Sequence, residues 1–357
     1  MTIPPPTQAS GHRDAVETET LENAIELKEV EGLSQGRIVR RRFLRHRGAM
    51  VSLFFLIAIV LLATTSIGWG PFSGWWQWGP NELPSITNPG GAPTMSISGD
   101  GLVFGEHPFG QDNIGRDVFA RVMRGTQTSL LVMVIIGLVA TTIGIVMGAI
   151  AGFLRGRTDN VLMRFTDMII TIPVIMIGAI LGAWSRGANP LTLALALSLV
   201  TWTTMARLVR GEFLSLRERE FIDAARVAGA SNGRIMFRHM LPNAVGVIIV
   251  NTTLLMASAI LLETALSYLG FGIKFPNVSL GNLISDYQTA FNTRPWLFWW
   301  PGLFIVSIAL CVNFIGDGLR DAFDPRQRRI PSKRSMERAA ARAQRRDQVL
   351  PPADVTA

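Results

Sequence analysis

Lysine, histidine and cysteine are the side chains that most often carry phosphate or metal chemistry, and this 357-residue chain is poor in all three. None of its lysines (Lys28, Lys274 and Lys333) follows a glycine, so the sequence contains no G-x-x-x-x-G-K-[ST] loop to cradle nucleotide phosphates. The four histidines lack metal-ligand spacing, and Cys311 has no partner for a disulfide. We therefore expect a chain with no catalytic residues, no metal site and no cofactor of its own.

Polar side chains within long apolar segments are the second chemically interesting group, because they are costly in a membrane unless they face protein or water. They are Asp167, Asn251, Thr252, Thr253 and Glu263. We take Asn251, Thr252 and Glu263 as candidates for the wall of a translocation pathway. Alternatively, the asparagine and the threonines form hydrogen bonds between helices, and Asp167 lies at the membrane interface.

The elements that must position these residues are six apolar blocks, each long enough for a helix of about 30 Å. They cover about 49–69, 129–151, 163–184, 191–210, 244–264 and 296–315. The first block lies too far into the chain to be a cleaved signal peptide and is interpreted as a retained span. The sequence thus predicts an all-α, polytopic membrane protein with six transmembrane helices.

The distribution of positive charge predicts the orientation of these spans. With a cytoplasmic N-terminus, 28 of the 34 Lys and Arg residues fall on the cytoplasmic side. The tryptophans 69, 75, 76, 78, 184, 296, 299 and 300 fall at the opposite ends, where indole rings anchor at the interface. Topology therefore explains the pI of about 10.8 without a nucleic-acid partner, and both termini are expected in the cytoplasm.

The spans divide the chain into regions. Residues 1–47 are expected to form a cytoplasmic tail, mostly disordered with a short helix near 21–30, that ends in a basic amphipathic helix at 37–47 lying on anionic membrane lipid. The first span covers 48–70, and an extracytoplasmic loop covers 71–128. The core bundle covers 129–315 and includes a cytoplasmic loop at 211–243. Residues 316–357 form a basic tail that is solvated or contacts lipid.

The cytoplasmic loop has the most informative local pattern. A helix is favoured from Glu218 to Ala228, and Gly229 can end it in the left-handed conformation. Ser231 can then cap a second short helix running to His239. Pro242 stands where the fifth span begins, which is a position that proline tolerates. Two short helices joined at a glycine are expected on the cytoplasmic face.

The first of these helices combines small side chains with one aromatic ring. Ala224, Ala225 and Ala228 lie beside Phe221, and such a surface is suited to enter a groove on another protein. The alternative is that this helix packs on its own bundle.

Two further patterns concern packing. Gly144, Gly148, Gly152 and Gly156 recur every four residues, which allows close approach of two helix backbones within the bundle. Residues 116–124 place Val118, Phe119, Val122 and Met123 on one helical face, and we expect a helix lying on the outer membrane interface there.

The cytoplasmic loop resembles the permease subunits of ATP-binding-cassette importers, whose pattern is E-A-A-x(3)-G-x(9)-I-x-L-P. The chain has Asp223-Ala224-Ala225, Gly229 and His239-Met240-Leu241-Pro242 at that spacing, with Asp in place of Glu and His in place of Ile. The Arg-His-x-Leu-Pro-Asn form is similar to the peptide-importer branch. Segments 110–131 (with Gln111 and Ala120 departing), 262–273 and 316–326 also resemble that branch, so the likeness covers about residues 37–330.

This resemblance implies a type I importer permease bundle with a cytoplasmic coupling helix, specifically the C-type subunit of a dipeptide or oligopeptide importer in a bacterial inner membrane. The implied partners are a second, homologous permease chain, two ATPase subunits that bind ATP and Mg, and an extracytoplasmic peptide-binding protein. The residues implied in ATPase coupling are Phe221, Asp223, Ala224, Ala225, Ala228, Gly229, His239, Leu241 and Pro242. The mechanism implied is alternating access driven by the ATPases.

Other classes of membrane protein remain as alternatives. An ion-coupled transporter working alone is expected to show internal repeats and buried ionisable groups, and here no two-fold repeat is visible and membrane-buried charge is sparse. A scaffold protein would give no reason for the glycine-hinged loop. The same permease type can also carry nickel, glutathione or haem-like cargo.

Overall fold

The structure is a computed structural model that describes residues 35–98, 101–184 and 189–323. The helix expected near 21–30 and most of the basic C-terminal tail lie outside these residues. Within them, four helices are long and apolar enough to cross a membrane, and two bent helix pairs bring the number to six if each pair is one span. The predicted all-α architecture is confirmed.

The first two helices meet at a histidine. Helix α1 (Gln35–Arg45) carries the arginine-rich sequence, and α2 (Arg47–Ser66) is the first span. His46 lies between them and caps α2, because its Nδ1 accepts a hydrogen bond of 3.0 Å from the Ala49 N–H. A helix in the basic segment is therefore confirmed.

Two small hairpins follow α2. Strand β1 (Gly68–Trp69) pairs antiparallel with β2 (Phe72–Ser73), and β3 (Ser96–Ser98) pairs antiparallel with β4 (Gly101–Val103). They belong to the long segment that joins α2 to the next helix.

Helix α3 (Val118–Leu154) is 37 residues long and includes both the predicted second span and the segment expected to lie on the outer interface. That separate interfacial helix was a wrong prediction. Val118, Phe119, Val122 and Met123 are all buried. Their apolar face packs on protein rather than on the membrane, since the segment between α2 and α3 and the first half of the last helix cover it.

The third predicted span is broken. Helix α4 (Gly156–Thr171) and helix α5 (Val174–Trp184) are bent by 77° at Ile172–Pro173. Proline has no N–H to donate and disfavours helical conformation in the residue before it. A single straight helix over 163–184 was therefore a wrong prediction, and α5 alone is only about 16 Å long.

The fourth span bends by 43° between α6 (Pro190–Thr201) and α7 (Thr203–Arg217). The residue at the bend is Trp202, whose indole N–H donates a 2.9 Å hydrogen bond to the Leu199 carbonyl. A side chain that competes for a backbone carbonyl is a known cause of helix bending.

The fifth span begins before the predicted proline. After α8 (Glu220–Val227), the chain forms α9 (Asn232–Arg234), a π-helical turn at Ile235–Met240 and then α10 (Leu241–Tyr268). The second short helix therefore runs directly into the span instead of ending at His239. Pro242 is the second residue of α10, which directly follows the π-helical turn.

Two helices complete the chain that the structure describes. Helix α11 (Leu280–Tyr287) begins with a capping box formed by Ser279 and Asn282. Helix α12 (Trp296–Phe323) is the last span and extends past the predicted end at 315.

The glycine stripe of α3 packs inside the bundle, as expected. A Cβ added to Gly144 would lie 2.6 Å from the Met205 Cβ, and one added to Gly152 would lie 2.7 Å from the Phe213 Cβ. Gly148 approaches the backbone of α7 in the same way. Gly156 differs, because it begins α4 with φ of +61° and meets no neighbour within 4 Å. Three glycines therefore let α3 and α7 approach closely.

The tryptophans expected to anchor the membrane interface divide into two groups. Trp69, Trp75 and Trp299 are exposed. By contrast, Trp76 packs on Phe119 with ring centroids 4.6 Å apart, and Trp300 stacks on Phe109 at 3.8 Å. The rings of the second group contribute to the protein core, and the Trp184 side chain lies outside the described residues.

Candidate functional site

The loop between α7 and α10 is held to the bundle by one face of α8. Ile222 is fully buried and joins an apolar cluster with Phe213, Ile235 and Met240. Ala225 is half-buried against the same cluster. Because Ile222 and Ala225 are three residues apart, they lie on the same side of the helix and define its inward face.

The opposite face of α8 is exposed and largely apolar. Phe221 is 42% exposed and Val227 is 90% exposed, and Ala224 and Ala228 are also exposed. We call these four residues the coupling face, after the role that the family resemblance implies for this helix. The predicted surface is present except that Ala225 points inward, and Val227 was missed. Helical spacing from Phe221 and Ala224 could have indicated Val227, since it lies three residues after Ala224.

Gly229 reverses the chain after α8. Its φ is +77°, a conformation that glycine adopts without the steric cost that a Cβ brings. The Gly229 N–H donates to the Arg226 carbonyl (2.9 Å) and the Ala230 N–H donates to the Ala225 carbonyl (3.0 Å), which satisfies the end of the helix. Ser231 then caps α9 by accepting from the Arg234 N–H at 3.4 Å.

The remaining residues of the resembling motif have different surroundings. Asp223 is exposed and pairs with Arg226 at 2.8 Å, within α8 itself. His239 lies in the π-helical turn, and its carbonyl accepts a 2.6 Å hydrogen bond from the side-chain amide of Asn243 in α10. Leu241 packs inward on the apolar cluster, whereas Pro242 is exposed. These last three residues lie at the junction of the π-helical turn and α10, outside the coupling face.

Two of the candidate pathway residues are half-buried on α10. The Asn251 amide donates 2.8 Å to the Val247 carbonyl of its own helix. The Thr252 hydroxyl lies 3.1 Å from the Thr141 hydroxyl of α3 and forms a hydrogen bond between helices. Thr253 bonds within α10, to the Val250 carbonyl. Of the polar groups on α10 named from the sequence, Thr252 thus shows the expected helix-to-helix contact.

Glu263 is enclosed rather than open to a pathway. Its side chain is 0% exposed and accepts hydrogen bonds from Ser129 of α3 (2.9 Å) and Ser267 of α10 (2.7 Å). Ser129 also accepts from the Leu280 N–H at 3.2 Å. In this conformation the carboxylate joins α3, α10 and the start of α11.

Sequence reasoning missed a buried polar cluster just before α3. The Asp117 carboxylate caps α3 and accepts from Trp76 (2.9 Å) and Ala120 (2.7 Å), and it lies 2.8 Å from the His107 Nδ1. Burial raises the pKa of Asp117, and the hydrogen bond with His107 opposes that rise. The adjacent Asp112 pairs with Arg116 at 2.6 Å. This segment therefore fixes the fold around the start of α3.

A bundle with four to six candidate spans and an exposed, glycine-turned loop defines a polytopic membrane protein. Residues 144–329 match the family described as the binding-protein-dependent transport system inner membrane component. Residues 34–76 match the N-terminal TM domain of oligopeptide transport permease C. The chain belongs to this family of transport-system inner membrane components.

Relatives match it over most of its length. The oligopeptide transport system permease protein OppC of Escherichia coli (strain K12) is 40% identical over 87% of this chain and 98% of the relative. The protein of the same name from Haemophilus influenzae is 36% identical over 90% of this chain and 98% of the relative. The protein of the same name from Mycobacterium tuberculosis (strain H37Rv) is 37% identical over 84% of this chain and 98% of the relative.

Among solved structures, a chain of the inward-facing MetNI methionine ABC transporter is similar, with a TM-score of 0.49 and 17% identity. The match covers 57% of this chain and 97% of that one.

Proposed function

We propose that this chain is the membrane-spanning permease subunit of an ATP-driven importer for dipeptides or oligopeptides, and that it forms half of the translocation pathway. The observation that carries the proposal is the match to oligopeptide permeases over 98% of their length. The resemblance to the importer pattern at 223–242, within the matched region, agrees with it.

The coupling face gives the proposal a physical mechanism. Exposed Phe221 and Val227 lie on a short helix that is anchored at Ile222 and free to contact a groove on its other side. An ATPase subunit docked on this face would move α8 when it closes on ATP. The movement would open the bundle outward to accept peptide, and release of nucleotide would return it to the inward-open state.

The complete transporter would contain four further chains. They are a second permease, which forms a heterodimer with this one, two ATPase subunits that hold ATP and Mg, and an extracytoplasmic peptide-binding protein. In this assembly the present chain is non-catalytic. It would reside in a bacterial inner membrane with both termini in the cytoplasm.

An ion-coupled transporter acting alone is not favoured, because family membership lies with binding-protein-dependent systems. Broken helices and buried ionisable residues are typical of such transporters. In this bundle, however, the bend at Trp202 has a local cause, and the hydrogen bonds of the buried Glu263 are satisfied by neighbouring serines.

The first experiment is purification of the chain from its native membrane in mild detergent, with the co-purifying proteins identified by mass spectrometry. We expect a second permease and ATPase subunits. Peptide uptake by the reconstituted assembly then separates peptide from nickel, glutathione or haem-like cargo. A chain that purifies alone, while other complexes in the same preparation survive, would contradict the proposal.

The same purification tests the coupling face. Val227→Arg places a charge at the most exposed apolar residue of the proposed contact and should abolish co-purification of the ATPase. Ser215→Arg, at an exposed position of α7 outside that face, is the matched control and should retain it. ATPase recovery at the wild-type level with Val227→Arg would place the docking surface elsewhere.

A further inference from the structure

Helix α4 has an unusual distribution of polar and apolar residues. Its buried residues are Asp159 and Thr166, both polar. Three of its large apolar residues point outward: Val161 is 67% exposed, Phe165 is 49% exposed and Met168 is 70% exposed. Its apolar contact with the bundle is centred on Trp202, since Ile169 packs against the cluster around that residue and the Phe165 and Trp202 rings are 6.2 Å apart. Polar contacts add to this small apolar contact in fixing α4 on the bundle.

The backbone does not fix the direction of α4 either. At its start, Arg155 and Gly156 both have positive φ, +57° and +61°, so α4 does not continue the helix of α3. At its end, the 77° bend at Ile172–Pro173 separates it from α5. A helix with a break at each end takes its orientation from side-chain contacts.

The polar contacts among them include two ion pairs to α7. Arg210 donates two hydrogen bonds to Asp159, at 2.5 and 2.7 Å, in the bidentate geometry that makes such pairs strong. Arg207 pairs with Asp167 at 2.6 Å. We call these two pairs the charge ladder. The first pair involves a buried carboxylate, whereas both members of the second are about half exposed and contribute less.

Helix α7 is in turn the element that leads into the segment between α7 and α10 (218–240), which we call the coupling loop. It lies against α3 at Gly148 and Gly152 and ends two residues before α8. At that end Arg217 donates to the Phe153 carbonyl, and Arg155 pairs with Glu218. The junction between α3 and α4 is thus tied to the beginning of the coupling loop.

We propose that the charge ladder makes α4 move as one body with α7, so that displacement of the coupling loop is passed to the bend at Pro173 and to α5 beyond it. The inference rests on the proposed function, and it assigns to Asp159, Asp167, Arg207 and Arg210 a positioning role in transport.

The experiment uses the complete transporter in proteoliposomes and measures peptide uptake per ATP hydrolysed. Asp159→Asn and Arg210→Gln should each lower that ratio by about tenfold, within the range known for substitutions along coupled elements. The ratio for the double variant should be no lower than that for the more impaired single variant, because each single variant and the double variant remove the same ion pair. Arg157→Gln, an exposed arginine of α4 outside the ladder, is the matched control and should leave the ratio unchanged.

Removing one partner of a buried pair can impair folding, so the half-exposed pair supplies a second test. Asp167→Asn should assemble normally and lower the ratio by about two- to threefold. Normal coupling in all of these variants overturns the inference, as does strict additivity of the Asp159 and Arg210 effects. Failure of the wild-type transporter to take up peptide would instead contradict the proposed function.

A distance measurement separates coupling from stability. Spin labels on cysteines at the exposed positions Asn160 of α4 and Ser215 of α7, in a Cys311→Ala background, should give one narrow distance with and without ATP. The distribution should broaden in Arg210→Gln. A wild-type distance that changes when ATP binds would show that α4 and α7 move independently and would overturn the inference.

Discussion

Gly229 shows how a single residue determines the path of the coupling loop. A Cβ at this position would meet no atom within 4 Å, so the requirement for glycine comes from the backbone conformation alone. A β-branched side chain at positive φ is a conformational outlier, and the left-handed region costs about 1–2 kcal/mol even for ordinary residues.

We therefore expect Gly229→Val to uncouple ATP hydrolysis from peptide uptake while leaving membrane insertion intact. The measurements are uptake, ATPase rate and the amount of protein in the membrane. Gly233→Val is a matched control, because Gly233 is also exposed with open space around it but has no positive φ. Normal uptake by Gly229→Val would show that the reversal of the chain is not needed for transport.

Local residue chemistry could be predicted from the sequence, whereas the direction of a side chain could not. The glycine after α8 and the Ser231 cap are properties of short segments, and both are present. That Ala225 points inward depends on the apolar cluster around Phe213, to which distant parts of the chain contribute. The enclosure of Glu263 likewise depends on Ser129, 134 residues earlier.

At the scale of elements, the contact between α3 and α7 depends on the absence of side chains. A Cβ on Gly148 would lie 2.9 Å from the Val209 Cβ and 3.0 Å from the Arg210 N, and a backbone carbonyl lies still closer. Real Cβ atoms do not approach so closely, so the helices must separate if a side chain is added.

Gly148→Val should accordingly lower the stability of the purified complex by about 1–3 kcal/mol, the usual cost of overpacking. Thermal unfolding in detergent measures the effect. Gly211→Val on α7 is the matched control, since a Cβ there meets nothing within 4 Å, and its transition should shift far less. Equal shifts for the two variants would argue against close packing along the stripe.

The helices themselves were predictable because apolar length is a strong signal, but their breaks were only partly so. Pro173 is visible in the sequence and explains one break. The bend at Trp202 arises from an indole hydrogen bond to a backbone carbonyl, which leaves no trace in hydropathy. The first turns of α3 were wrongly predicted to be a separate helix on the membrane interface, because the sequence pattern of an apolar helical face is the same whether that face contacts lipid or protein.

For the whole molecule, the asymmetry of Lys and Arg predicts that the loop at 211–243 and both termini are cytoplasmic. The variants Glu82→Cys and Asn232→Cys report on the two sides of the membrane. Glu82 lies between α2 and α3, and Asn232 lies in the coupling loop. Both positions are exposed, and the native Cys311 is buried. A membrane-impermeant thiol reagent on intact spheroplasts should label only the cysteine at 82, and inverted vesicles should give the opposite result. Labelling of the cysteine at 232 in spheroplasts would reverse the proposed orientation.

The length of α3 has a geometric consequence for the whole molecule. As a single 37-residue helix it extends about 55 Å, from the Asp117 cap to Arg155. A tilt of about 5° around its midpoint would displace its two ends by about 2.4 Å in opposite directions. Because α3 is one continuous helix, such a tilt moves both of its ends at once and in opposite directions. A displacement at one end is therefore transmitted to the other end without a rearrangement of the residues in between.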